Sequence, residues 1–481
     1  MKIKHFIFIV LSVFFLVEGC GKHNPEPVKQ VFEVSGTTLS FSVDGGTNTL
    51  TITSSSSWQY SANAAWISVT PPGRPGSDTP VEVSVTAGRN NGDERTATIT
   101  FTSGSQSKKV TVTQDGVVDD GIPRVTIKEF RNKKDSSTDW YRLTGEVVSI
   151  ANSQYGDIYI MDDTGFIYVY GLAASKGGDN MKEYAGLGIN AGDIITIVAN
   201  KKTYNDIIET DKAYFESKES GSYPGFSAAK ATAGWLELPQ TSGEDAYDYL
   251  CHLTKDKKRN YSIYYDKAAR VARWVAYPYT SGDKNGSGRS DAYAFDPLVG
   301  ENDQPSLSKS SYSNSGTGLD NDRFVRGHMV PSYDRSGRSN LDVFLTTNIM
   351  PQSEELNTGT WGELEDKVRS LSYACDTLYI VIGTVYNDAS IKVKDNNNLD
   401  ITVPDDIYKA VLAYSQNFGY KGLGAYFSNR KSDAKAELKS KCMSIDELEK
   451  KLGIDLFVNL PDDIEKEIEA KNPIEDSWWN F

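Results

Sequence analysis

The chain has 481 residues, of which 38% are hydrophobic and 24% are charged, so it is long enough for about three globular domains. Its formal net charge of -14 excludes a protein that coats nucleic acid through bulk positive charge. The charge is unevenly spread: residues 251–340 contain 14 lysines and arginines against 10 acidic residues, and residues 341–481 contain 15 against 25. A polyanion site should therefore draw its positive charge from residues 251–340.

The pattern of residues 1–20 is that of a bacterial lipoprotein signal peptide. A short basic stretch precedes the apolar run 6–17, which is too short to span a bilayer. The segment Val17-Glu18-Gly19-Cys20 then resembles a lipobox, in which the cysteine is lipidated and becomes the mature N-terminus. We expect a cell-envelope lipoprotein at the outer membrane or cell surface, with residues 21–30 as a tether. Plain secretion without lipidation of Cys20 is the alternative.

Residues 31–116 are predicted to form a β-sandwich. Apolar residues alternate with Ser and Thr in short segments, and Gly- and Asn-rich turns separate them. Trp58, the segment Trp66-Ile67-Ser68-Val69 and the closing Val112-Thr113-Gln114 resemble BACON-type domains. That resemblance implies carbohydrate as a partner, with Trp58 and Trp66 stacking on sugars. The alternative is that both rings fill the sandwich core.

Residues 122–215 are predicted to form a second β-rich domain, an OB-fold-like barrel. Four alternating segments with a helical stretch before the last one resemble the β-β-β-α-β order of that fold. Tyr159, Tyr168 and Tyr170 could stack on bases, or they could simply suit a pleated surface. Residues 216–240, rich in Ser, Gly and Ala, are predicted to be a linker.

Residues 241–481 change to a mixed α+β pattern. A hairpin is predicted around Asp266, a buried strand over 378–385, and a helix that begins after the capping residue Ser444. Three cysteines of the mature chain, Cys251, Cys375 and Cys442, allow at most one internal disulfide, and the sequence does not choose a pair.

A group of motifs in this last domain carries chemistry. Arg326-Gly327-His328 is followed by Asn348-Ile349-Met350-Pro351-Gln352, and then by Asn357, Trp361 and Glu365 at four-residue spacing. Such spacing predicts that the last three lie along one face of a helix. In this order the segments resemble the DNA/RNA non-specific endonucleases of the ββα-metal (His-Me finger) class. The family usually has an aspartate directly before Arg-Gly-His, where this chain has Val325; Asp322 is a candidate to compensate.

The resemblance implies a role for each site residue. His328 would be the general base that deprotonates the attacking water, since its ordinary pKa near 6.5 suits that task. Arg326 and Arg289 would bind the charge that develops on phosphorus. Asn357 would be the only direct protein ligand of Mg²⁺, with Mn²⁺ as the alternative ion, and Glu365 would complete the metal site by holding a water beside it. The products would carry 5′-phosphate and 3′-hydroxyl ends.

The sequence thus predicts a β-sandwich, an OB-like β-barrel and a mixed α+β ββα-metal nuclease domain in one envelope-anchored chain. We expect it to hydrolyse both DNA and RNA, because such a site recognises phosphate rather than base edges. Two alternatives stay open: an envelope glycan- or nucleic-acid-binding lipoprotein whose nuclease domain is inactive, and a nuclease restricted to one substrate. Preference between DNA and RNA, the membrane face and the oligomeric state are not determined by the sequence.

Overall fold

A computed structural model of the chain describes residues 31–90, 92–116, 120–241, 247–284, 286, 288–314 and 322–481. The predicted signal peptide, Cys20 and the tether lie outside these residues and stay predictions. The chain divides into two compact units, with the division between Asp120 and Gly121. No helix within the described part of the chain is long and apolar enough to cross a membrane.

The first unit is a β-sandwich, as predicted. Its two sheets have the strand orders β1-β3-β7-β5 and β2-β9-β8-β4-β6. The strands are β1 (Phe32–Val34), β2 (Thr38–Phe41), β3 (Gly46–Ser54), β4 (Trp58–Ala62), β5 (Ile67–Thr70), β6 (Gly73–Arg74), β7 (Ser77–Ala87), β8 (Arg95–Ser103) and β9 (Gln106–Gln114). Trp58 is 4% exposed and packs edge-on against Phe101 in the core, so it is not available to stack on a sugar. Trp66 is half-buried, and the guanidinium of Arg95 lies 4.3 Å from its ring centroid.

The second unit begins with a barrel of five main strands and one additional strand of two residues, and the predicted helical stretch directly follows that short strand. The barrel closes because β12 pairs in parallel with β15 while β10 joins β11 and β14. Its elements are α1 (Ile127–Arg131), β10 (Tyr141–Asn152), β11 (Asp157–Asp162), β12 (Gly165–Val169), β13 (Leu172–Ala173), α2 (Asn180–Glu183), β14 (Ile194–Tyr204) and β15 (Ile207–Glu219). The sequence pattern missed β15, in which charged residues interrupt the apolar alternation.

The structure differs from the predicted linker over 216–240. Strand β15 extends to Glu219, and strand β16 (Gly225–Ala228) pairs with the first long strand of the next sheet. Glu237 and Leu238 are each 1% exposed. A Ser-, Gly- and Ala-rich composition suits an edge strand as well as a linker, so composition alone could not separate the two.

The remainder of the second unit is built on an antiparallel sheet of eight strands in the order β16-β17-β18-β19-β22-β25-β26-β27. The further strands are β17 (Tyr247–Leu253), β18 (Arg259–Asp266), β19 (Val271–Tyr279), β20 (Phe324–His328), β21 (Ile349–Ser353), β22 (Thr377–Val385), β23 (Lys392–Lys394), β24 (Asp400–Thr402), β25 (Asp406–Ser415), β26 (Gly419–Ser428) and β27 (Cys442–Met443). The predicted hairpin around Asp266 and the buried strand over 378–385 are therefore present. Cys251, Cys375 and Cys442 are all free thiols.

Two hydrophobic layers cover opposite faces of this sheet. The helices are α3 (Gly337–Asp342), α4 (Glu354–Thr358), α5 (Thr360–Leu371), α6 (Ile445–Leu452) and α7 (Asp462–Glu469). Phe324, Ile349 and Trp361, from the β20–β21 pair and α5, belong to the core cluster on one face. Ile445, Leu448 and Ile468, from α6 and α7, belong to the cluster on the other face. Alternation of side chains along each strand produces this division.

The barrel packs against the part of the same unit that contains the eight-stranded sheet. Val148 of β10 forms a small apolar cluster with Ala292 and Leu341, and Tyr159 packs against this cluster. Glu146 forms an ion pair with Arg338, and each of these side chains is 11% exposed. Of the three tyrosines for which base stacking was one alternative, Tyr159 is thus engaged inside the unit, whereas Tyr170 is 54% exposed.

The Glu146–Arg338 pair yields a test of this contact. Glu146→Ala should lower the free energy of unfolding by about 3 kcal/mol, because it leaves a nearly buried guanidinium without its carboxylate. Chemical denaturation of the full chain measures the change. The control is Glu467→Ala, which removes the exposed partner of Lys471 and should leave stability nearly unchanged. Equal stability of the Glu146 variant and the wild type would show that the contact contributes little.

Candidate active site

The β20–β21 pair positions the Arg326-Gly327-His328 motif. In its antiparallel register Arg326 lies opposite Pro351, Gly327 opposite Met350 and His328 opposite Ile349. A Cβ atom on Gly327 would lie 2.3 Å from Oε1 of Gln352, so a glycine is required for the two strands to approach. The Arg326-Gly327-His328 motif and the segment ending at Gln352 therefore fix each other's position, because Gly327 packs beneath the Gln352 side chain.

His328 lies in a nearly closed, aromatic environment. It is 9% exposed, and its ring contacts Phe344 edge-on with a centroid distance of 4.6 Å. Its buried Nε2 has no hydrogen-bond partner among the described residues. Burial, followed by the positive charges of Arg289 and Arg326, holds the pKa of His328 well below its ordinary value. The ring is therefore neutral at physiological pH and offers an unengaged nitrogen.

Tyr293, a residue the sequence motifs did not single out, holds the two predicted arginines beside this histidine. The guanidinium of Arg326 lies 3.8 Å from the Tyr293 ring centroid. Arg289 donates hydrogen bonds to the Tyr293 hydroxyl at 3.3 Å and to Asp291 Oδ1 at 3.0 Å. Its side chain is still 40% exposed, so it can reach a bound anion. Arg289, which is distant in sequence from Arg326 and His328, is thereby brought beside them.

Asn357 lies on α4, which begins directly after β21. Its side chain is half-buried and forms no hydrogen bond with any residue that the structure describes. The start of α4 is fixed by Asp322, whose Oδ1 accepts a hydrogen bond of 2.6 Å from Ser353 Oγ, and by Asn429, whose Oδ1 accepts one from the Ser353 amide. Asp322 therefore holds the start of this helix, while Val325 occupies the position where the family pattern has aspartate.

The prediction that Asn357, Trp361 and Glu365 share one continuous helix is wrong. The helix stops at Thr358, and Gly359 has φ -99° and ψ -128° before α5 begins. The amide of Thr360 donates to the carbonyl of Ala434, and a Cβ on Gly359 would lie 2.2 Å from that same oxygen. Close approach of the 434 backbone thus breaks the helix, and periodicity alone could not show it.

Glu365 is engaged by two neighbours. Its Oε1 accepts a hydrogen bond of 2.9 Å from Trp361 Nε1 and lies 3.8 Å from the ammonium of Lys409, which is 2% exposed. Burial raises the pKa of Glu365 and lowers that of Lys409. Trp361 is fully buried against Phe427, so it packs the helix rather than binding a base. Lys409 lies in a strand of apolar pattern, and no sequence signal marked it.

The second described histidine has a different role. His252 is fully buried, stacks on Tyr261 at 4.6 Å and shares a hydrogen bond of 2.9 Å between Nδ1 and the Tyr223 hydroxyl. Its Nε2 lies 3.1 Å from Asp296, so both ring nitrogens have polar neighbours. Within the described residues, His328 is therefore the histidine whose ring has no carboxylate partner.

The residues present fit a hard cation held by few protein oxygens. The side-chain amide of Asn357 has no competing protein partner among the described residues, and Mg²⁺ typically keeps most of its waters. Among those residues, a group of three acidic side chains close enough to hold an ion occurs on α6 and α7 rather than beside His328. The donor chemistry at α4 thus matches an ion that relies on one amide, water and substrate phosphate.

Comparison with known proteins matches two segments of the chain to protein families. The family of DNA/RNA non-specific endonucleases matches residues 247–463, and a putative N-terminal binding domain named BACON matches residues 56–115. A nuclease of Nostoc sp. is 31% identical over 223 residues, which is 44% of this chain and 77% of that protein. A nuclease of Serratia marcescens is 27% identical over 214 residues, with the same coverage of 44% and 77%. The human mitochondrial nuclease EXOG is 27% identical, covering 51% of this chain and 65% of that protein.

The matched segment contains the β20–β21 pair, α4 and α5. The protein is accordingly a nuclease, an enzyme that hydrolyses phosphodiester bonds. It belongs to the DNA/RNA non-specific endonuclease family, and the predicted BACON-type domain precedes the catalytic part.

The lowered pKa of His328 predicts the pH dependence of cleavage. If His328 is the general base, its depressed folded-state pKa keeps the ring neutral as pH falls past 6.5, so kcat/KM should decline only at lower pH. Arg326→Gln removes one of the charges responsible, so its acid limb should move upward in pH even though its rate also falls. A pH profile of plasmid nicking measures both. An acid limb at or above pH 6.5 in the wild type would contradict the assignment of the base.

Proposed function

We propose that the protein is an Mg²⁺-dependent, sugar-non-specific endonuclease that leaves 5′-phosphate ends on DNA and RNA, with a ββα-metal arrangement formed by β20, β21 and α4. The observation that supports this most is the neutral, unpartnered Nε2 of His328 beside Arg289 and Arg326. When water attacks a phosphodiester, the reaction requires a base and positive charge, and these three residues supply a base and two cations.

In this proposal His328 Nε2 accepts the proton of the attacking water. Arg326 and Arg289 bind the non-bridging phosphate oxygens, whose negative charge increases as the bond to water forms. Tyr293 keeps both guanidinium groups in place before substrate arrives, so little reorganisation accompanies the reaction. Low exposure of His328 strengthens each of these electrostatic interactions.

Asn357 would hold Mg²⁺, with Mn²⁺ as the alternative, and the ion when bound would supply Lewis-acid stabilisation of the phosphate and the departing 3′-oxygen. Glu365 would hold a water beside the ion, while Lys409 and Trp361 fix its carboxylate. Recognition of phosphate and cation rather than base edges is the reason to expect both DNA and RNA as substrates.

Asn357→Ala tests the metal assignment. Removal of the amide should abolish cleavage of plasmid and of RNA, since no other ligand of this kind lies beside it in the part of α4 that the structure describes. The matched control is Thr358→Ala, because that hydroxyl contacts only the helix carbonyl of Glu354. The wild type and the control should cleave both substrates with Mg²⁺ and neither with EDTA, and end-labelling should detect 5′-phosphates. Cleavage by Asn357→Ala at a near wild-type rate would overturn the assignment.

A further inference from the structure

A cluster of acidic side chains lies between α6 and α7, on the sheet face opposite His328. Oxygen atoms of Asp446, Glu449 and Glu469 all lie within 4.8 Å of one another. Both helices pack on the hydrophobic cluster that includes Ile445, Leu448 and Ile468, whereas the catalytic strands pack on the other cluster. The acidic cluster is therefore separate from the nuclease site.

Glu469 is the unusual member of this group. It is 2% exposed, and its Oε1 is buried without a hydrogen-bond partner among the described residues. A buried carboxylate is costly unless a hydrogen bond or an opposite charge compensates it. Glu469 is also the last residue of α7, where the negative end of the helix dipole disfavours a further negative charge. Its position thus requires a cation or a proton.

The negative charges around Glu469 increase its need for a cation or a proton. Burial, followed by Glu449, Glu465, Asp455 and Asp446, raises the pKa of Glu469 to about 9, and no basic residue is among these causes. Nearby lysines are directed elsewhere: Lys471 pairs with Glu467 at 2.8 Å, and Lys451 lies over the Tyr426 ring. The Asp446, Glu449 and Glu469 carboxylates therefore lie together under the further negative charge of Asp455 and Glu465, and no cation of the described residues forms an ion pair with Glu469.

Glu449 links the cluster to the loop between the two helices. Its Oε1 accepts a hydrogen bond of 2.6 Å from the Leu456 amide, which leaves its other oxygen for a further partner. Asp446, at the start of α6, is exposed, so the cluster is open to solvent on that side. Glu469 is thus buried, Glu449 is half-buried and Asp446 is exposed, so an ion could enter the cluster from solvent beside Asp446.

We propose that Asp446, Glu449 and Glu469 bind one Ca²⁺ ion, which ties α6, the intervening loop and the end of α7 together. Ca²⁺ accepts six to eight oxygens in flexible geometry, and two Ca–O bonds span up to about 5 Å, enough to bridge this group. Mg²⁺ requires shorter bonds and a stricter octahedron, so it fits less well. Asp455 and Glu465 add negative charge that attracts the ion without having to contact it.

Thermal unfolding of the full chain tests this site. Starting from EDTA-treated protein, Ca²⁺ in large excess should raise the Tm of the wild type by a few degrees, and Mg²⁺ should raise it less. Glu469→Gln should lose the Ca²⁺ response while being at least as stable as the wild type in EDTA, because an amide removes the uncompensated acid. Asp446→Asn, an exposed change that should not affect folding, should weaken the response.

Asn357→Ala separates this site from the catalytic one. It removes the proposed catalytic ligand, so it should abolish cleavage yet keep the full Ca²⁺-dependent rise in Tm. Failure of the proposed nuclease mechanism would leave the Ca²⁺ response intact, and failure of the Ca²⁺ site would leave cleavage intact. The two proposals can therefore be rejected independently.

The pH dependence distinguishes a bound ion from a bound proton. Because folding raises the pKa of Glu469, the EDTA-treated protein should lose stability as pH rises from its unfolded value near 4.5 toward 9. Ca²⁺ must displace the proton, so its affinity should increase over the same range. Absence of any Ca²⁺ effect on the wild type, or an equal effect on Glu469→Gln, would overturn the proposal and leave Glu469 as a protonated acid.

Discussion

The proposed mechanism depends on the burial of His328 beside two guanidinium groups. Burial and positive charge both disfavour the protonated ring, so the imidazole stays neutral without a carboxylate partner among the described residues. Nε2 has no hydrogen-bond partner among the described residues, which is costly for a buried polar atom and leaves this nitrogen uncommitted to a protein group. Tyr293 makes the arrangement possible, because its ring and hydroxyl hold the two arginines at the edge of the site.

The barrel contributes to this arrangement from outside the catalytic domain. The amide of Phe295 donates a hydrogen bond of 3.1 Å to the carbonyl of Ile150 in β10. Next in the chain, the carbonyl of Ala294 accepts a hydrogen bond from Thr346, so the segment around Tyr293 is held from two sides. An accessory domain thus supports the residue that positions both arginines, which is a reason for the barrel and the nuclease to form one compact unit.

The site residues that could be predicted from the sequence lie in short motifs whose strands pair directly. Arg326-Gly327-His328 and the segment ending at Gln352 could be recognised together because the two strands pair directly and Gly327 must accommodate Gln352. The helix carrying Asn357 was predicted too long, since the contact between Gly359 and the 434 backbone joins residues far apart in the chain. Tyr293 and Lys409 were missed for the same reason: each acts through neighbours that only the fold brings near.

His328→Ala tests directly whether His328 is the general base. The change leaves Asn357 and both arginines in place, so substrate affinity and folding should change little, while single-turnover cleavage of plasmid and of RNA should slow by about 10²–10⁴-fold. Circular dichroism and substrate binding by the variant confirm that only the chemical step is affected. Cleavage within a few-fold of wild type, with the same acid limb, would show that His328 is structural and that the base lies elsewhere.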